Sequence, residues 1–160
     1  MITMLLAGTV FHQILVVELP AGGKTQLQPG DARHRVLSLD EARALSDSLE
    51  GAGATLVTAP SLLEAEGEGA ELNVSGEEAS FRLYVREVRG STQVELRLLD
   101  GRRTVADVNA RFAVPDGAMF TIPIDGRHLL IGRQDRLADG ETTAEASAEW
   151  QKSWASLLNE

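Results

Sequence analysis

The sequence predicts an α+β fold, mainly antiparallel β: a β-α-β start, then a β-meander, then a C-terminal amphipathic helix. Three observations carry this. Apolar and polar residues alternate with a period of two through most of Ala70 to Val114. A stretch beginning at Ser38 shifts to the helical period of about 3.6. Asp-Gly pairs or single glycines punctuate the alternating runs where tight hairpins would need positive φ.

The elements follow in order. Thr9 to Leu19 is rich in β-branched residues and almost wholly apolar from Ile14, the mark of a strand buried on both faces. Pro20 to Arg35, with Gly22, Gly23, Pro29 and Gly30, reads as a long loop, mobile or a contact surface. Ser38 and Glu41 have capping-box spacing. Leu39, Ala42, Leu45 and Leu49 then fall on one helical stripe, with Arg43, Asp47 and Glu50 off it; Gly51 and Gly53 stop the helix.

Ala54 to Thr58 reads as an apolar strand closed by Ala59-Pro60. Next come alternating strands with Ala70, Leu72 and Val74; Phe81, Leu83 and Val85; Val94, Leu96 and Leu98; and Ala106, Val108, Ala110 and Phe112 on their apolar faces. Ala118 to Ile124 and His128 to Ile131 complete the β region. Residues 9–132 are expected to form the α+β domain. Residues 133–160 are expected to be a polar linker and a separable helix striped by Ala146, Trp150, Trp154 and Leu157.

Composition narrows the function. A chain of 160 residues, 43% hydrophobic and 24% charged, excludes collagen, coiled coil and wholesale disorder. With 24 acids against 15 bases and a net charge of −9, it lacks the basic footprint of a nucleic-acid binder. No apolar run reaches a membrane helix, and no basic residue precedes the apolar Met1 to Leu6 as in a secretory signal. Cysteine is absent, so thiol chemistry and disulfides are too.

Chemistry-bearing motifs are scarce. His12, His34 and His128 stand singly, with no HxH or HExxH pairing, and whether they converge is open. No GxSxG elbow or dinucleotide fingerprint occurs, and Gly22-Gly23-Lys24-Thr25 lacks the first glycine and following helix of a phosphate loop. The expectation is a non-enzymatic chain without catalytic, cofactor or metal residues. Charge is more informative. Glu64, Glu66, Glu68, Glu71, Glu77 and Glu78 are followed by an arginine-rich run that includes Arg82, Arg86, Arg97 and Arg111. Two solvated faces explain this; so does an acidic hairpin of one subunit meeting the arginine face of the next. Trp150 and Trp154 could likewise cover their own sheet or anchor on a neighbour.

The order of pieces resembles the core domain of bacterial secretins, the outer-membrane rings of type II and III secretion and type IV pilus systems. The segments that carry the resemblance are ILVVEL, then the helix, then Ala59-Pro60-Ser61-Leu62-Leu63 and Ala70-Glu71-Leu72-Asn73-Val74. Phe81 to Val88, VELRLLDG, and Val114-Pro115-Asp116-Gly117 with Ala118 to Ile122 continue it. It spans roughly Val10 to Ile131. Only Glu77 to Ser80 separates Gly76 from the next strand, so the family's gate and membrane hairpins do not fit, and no terminal Gly-Gly follows Ile131. The resemblance implies a reduced, gateless domain that self-associates or docks on an envelope machine, periplasmic or outer-membrane associated and without membrane insertion of its own. The alternatives are a small-ligand or metal-binding β-domain and a virion or tail structural protein.

Overall fold

The computed structural model describes residues 8–20, 34–75, 79–100, 102–124, 127–138 and 140–158. The elements are β1 (Thr9–Glu18), β2 (Arg35–Leu37), α1 (Leu39–Gly51), β3 (Thr55–Thr58), β4 (Ser61–Ala65), β5 (Ala70–Ser75) and β6 (Ala79–Val88). They continue with β7 (Ser91–Asp100), β8 (Arg103–Ala113), β9 (Met119–Pro123), β10 (His128–Arg136), α2 (Thr143–Ser153) and α3 (Ala155–Leu158). The expected class is present: mostly antiparallel β with a few helices.

Three layers result. The middle layer is a sheet of order β2-β9-β10-β1-β3, with β4 also on β1; the second sheet is the meander β5-β6-β7-β8. β1 is the hub. On one side it pairs with β10 from Val10↔Arg136 to Glu18↔His128. On the other it pairs with β4 along Thr9 to Gln13 and with β3 along Val16 to Glu18. The Ile14 N–H bridges the break by donating to the Pro60 carbonyl at 3.0 Å. β3 and β4 are thus one interrupted edge around Ala59-Pro60, and proline sits where a ladder donor is absent.

The double burial of β1 has a simple origin. Ile14 and Val16 face the second sheet and pack with Leu83, Val85, Val94, Leu96 and Phe112. Leu15 and Val17 face the helices and pack with Leu45, Leu49, Trp150, Trp154 and Leu157. Both faces of the middle sheet are therefore core, which is why β1 reads as a continuous apolar run.

Ser38 caps α1 and Glu41 completes the capping box. Ala42, Leu45 and Leu49 are buried as expected, but Leu39 is 42% exposed. At the first helical position it projects past the end of the core, so the stripe begins one turn later. A second capping box, Thr142 with Glu145, starts α2.

The C-terminal segment corrects the expected division of the chain. β10 continues through Arg136, across the expected boundary at 132, and α2 and α3 dock on the same chain's middle sheet. Trp150 is 3% and Trp154 0% exposed, so neither is an anchor for a neighbour. Their rings meet each other at 6.0 Å and cover the helix-facing side of β1. The helix is not separable, because removing it would uncover that face. Trp154→Ala should cost about 3–5 kcal/mol in a urea titration. A loss below 1 kcal/mol, on the order of a surface change, would refute this packing.

Gly132 has a different task. It lies beside β9 under the Phe120 ring, and an added Cβ would overlap that ring. Phe120 in turn meets Phe112 edge-on at 5.0 Å, and Phe112 stacks on His34 at 4.2 Å. A methyl group at Gly132 displaces this aromatic series. Gly132→Ala should therefore destabilise by about 1–3 kcal/mol, in contrast to the gain usual for Gly→Ala in a strand, as read by thermal melting.

Candidate interaction surface

Most strands alternate apolar and polar residues, but in several strands the inward phase also carries polar groups. Glu64 follows Leu62 inward on β4, and Glu87 follows Leu83 and Val85 on β6. On β1, His12 lies between Val10 and Ile14. These groups meet near one end of the two-sheet interface. His12 Nε2 contacts Glu64 Oε2 in a short buried hydrogen bond. The Glu64 carboxylate also accepts from the Glu87 N–H at 3.2 Å and from the Gly69 N–H at 3.3 Å. One carboxylate thereby joins β1, β4, β6 and the β4–β5 turn.

Glu87 extends the network outward. Its Oε1 accepts from the Gly90 N–H at 2.8 Å and from Arg136 at 2.7 Å. Arg89 and Gly90, with φ of 51° and 82°, form the two-residue turn between β6 and β7, so Glu87 fastens that turn to β10. Arg136 is shared with Glu66 at 2.9 Å, and these two carboxylates drive the guanidinium still higher than its ordinary pKa. Alongside, Thr92 donates to Gln134 in a buried hydrogen bond. The sequence signal for this network was a charged residue in the apolar phase of a strand, and only the alternation of neighbouring residues exposes it.

The outer face of the second sheet is the other concentration of charge. There Glu71 accepts from Arg82 at 2.7 Å and from Asn73 at 3.1 Å, and Asn73 and Arg82 hold the Glu71 carboxyl below the usual carboxylate range. Arg97 reaches Asp107 at 3.3 Å, and Glu95 accepts from Asn109 at 3.1 Å. Arg86 donates to the Gly67 carbonyl at 2.7 Å. Arg82 and Arg97 lie opposite each other in register, and each turns to a carboxylate on its other side. The face holds an open depression of about 480 Å³ lined by Arg82, Tyr84, Glu95, Arg97, Asp107 and Asn109.

These positions remove Glu64 from the expected contact between an acidic hairpin of one subunit and the arginine face of the next, and engage others within the chain. Glu64 is buried on His12 and is not available to a neighbour. Glu71 pairs with Arg82 of its own chain because β5 and β6 are sheet neighbours, and Glu66, just past the end of β4, pairs with Arg136 at the end of β10. Glu68 and Arg111 are exposed, and neither side chain has a hydrogen bond or ion pair among the described residues. Glu77, Glu78 and the Gly22-to-Thr25 stretch lie outside the described residues.

The histidines have separate surroundings: His12 on Glu64, His34 on Phe112, and His128 at 3.8 Å from Glu18. Among the described residues no group of three or more His, Cys, Asp or Glu side chains could hold a metal ion.

Glu64→Ala leaves His12 and the Glu87 N–H facing an empty, water-poor space and should cost about 3–5 kcal/mol. Glu64→Gln keeps an acceptor of the same shape and should cost less. A double-mutant cycle with His12→Ala, read by urea denaturation, should give a coupling above about 1 kcal/mol. Additive losses would mean that the pair contributes nothing of its own.

No family model, curated protein or solved structure matches this chain.

Proposed function

We propose that this chain is a non-catalytic assembly domain of a bacterial envelope complex, a reduced secretin-like domain that works by presenting surfaces to other proteins. The observation that carries this reading is the outer face of the second sheet. Its acids and bases are interspersed on an open surface, the facing bases Arg82 and Arg97 flanked by Glu71, Glu95 and Asp107, a form suited to electrostatic matching with a protein partner. Substrate sites are usually enclosed and apolar with a few convergent polar groups. The polar groups that do converge, His12, Glu64 and Glu87, are occupied in tying strands together.

The secretin resemblance supplies the setting and the order of strands supports it: an apolar first strand, a helix, a proline-interrupted pair and a four-stranded meander. The domain would then dock beside a membrane machine and not perforate the bilayer. Among the described residues no helix is long and apolar enough to cross a membrane.

The test is fractionation of producing cells with chemical cross-linking, followed by mass measurement of the purified chain. The expected outcome is recovery in a high-mass complex of the envelope fraction. A chain found only as a free monomer, with no cross-linked species, would overturn the assembly reading.

A further inference from the structure

Among the described residues β8 pairs only with β7, and its eleven residues make it the longest unbroken open edge. The other sheet edges are short or interrupted: three residues in β2, six in β5, and four in β3 with five in β4 on either side of Ala59-Pro60. A long open edge presents unpaired backbone N–H and C=O groups to any extended chain. Proteins usually blunt such edges with charges of a single sign, which repel a second copy. β8 does not. Its outward side chains include Asp107, Asn109 and Arg111, an acid and a base placed symmetrically about one amide.

We infer that β8 is a pairing edge for a second copy of this chain, antiparallel and centred on Asn109. This rests on the assembly reading above and names its partner and register. In that register Asp107 lies opposite the partner's Arg111 and Arg111 opposite the partner's Asp107, while Asn109 meets its counterpart on the two-fold axis. On the inward side Val108 and Ala110 face each other, continuing the core face across the join. Centring on Asp107 or on Arg111 instead sets like charges against each other, and centring on Val108 or Ala110 forms no Asp107–Arg111 pair, so charge favours Asn109 as the centre. An extra residue in β8 at the Leu98/Leu99 register shift interrupts regular pairing on the side toward Arg103. Arg111 is the side chain this arrangement completes: it is exposed and has no partner among the described residues. Two such edges would join the meanders into one continuous sheet, an isologous contact.

The test uses the full chain in sedimentation over about 10 μM to about 1 mM, with circular dichroism to follow folding. R111D places acids at both charged positions, and D107R places bases at both. Each variant alone should dimerise at least about tenfold more weakly than the natural chain, and an equimolar mixture should recover the dimer. R111D dimerising as well as the natural chain, or a folded mixture that stays monomeric, overturns the register. A second measurement does not depend on either variant folding. The chain has no cysteine, so N109C should form a disulfide-linked dimer under mild oxidation. R111C should not, because its sulfurs would lie about 14 Å apart along the strands. Equal cross-linking at both positions also overturns the pairing. The two readings fail separately. A chain that stays monomeric at 1 mM (on the order of the weakest specific contacts) yet travels with envelope complexes loses the β8 edge and keeps the assembly role. One that pairs through β8 but is never found in such complexes keeps the edge and loses the role.

Discussion

A strand with water on neither face needs cover in four directions, two for its backbone and two for its side chains, and β1 obtains all four. β10 takes one edge; β3 and β4 share the other. The meander covers one face and α1, α2 and α3 cover the opposite one. Each outer layer has a wet side of its own, which is why their sequences alternate or stripe while that of β1 does not. Removing either face cover exposes Ile14 and Val16, or Leu15 and Val17, at a cost of about 25 cal/mol per Å² of apolar surface.

The polar network near one end of that interface answers a different need. Apolar faces alone allow two sheets to slide, since one aliphatic contact resembles the next. Glu64 does not allow it: its carboxylate must meet His12 on one strand and the Glu87 N–H on another together. A buried carboxylate is costly to desolvate, and this one is tolerable because several donors converge on it. Its contribution is to register more than to net stability. The same logic places Glu87 between the Arg89-Gly90 turn and Arg136.

Periodicity made the meander and α1 legible because each has one wet and one dry side. It failed where that contrast is weak. β2 is three residues long and buries only Leu37, too little for any period to register. β4 carries Glu64 on its dry side and Leu63, 53% exposed, on its wet side, so SLLEA reads against its own geometry. The Trp150 and Trp154 stripe was plain in the sequence, but a stripe specifies that a face will be buried and not by which chain. Pairings such as His12 with Glu64 depend on strands brought together over long separations, and composition carries no trace of them.

The hub position of β1 also sets a timetable. The meander joins neighbours in sequence through short turns and can close while later residues are still being synthesised. β1 cannot. Val10 pairs with Arg136, and Trp154 lies further on still, so β1 must wait for residues far along the chain before one of its edges and its helix-facing side are covered. Loops this long close slowly, and until they do an apolar strand stands open to other chains. Translation and folding are therefore out of step at the amino-terminal end. The interval between them is when β1 is most open to association with other chains.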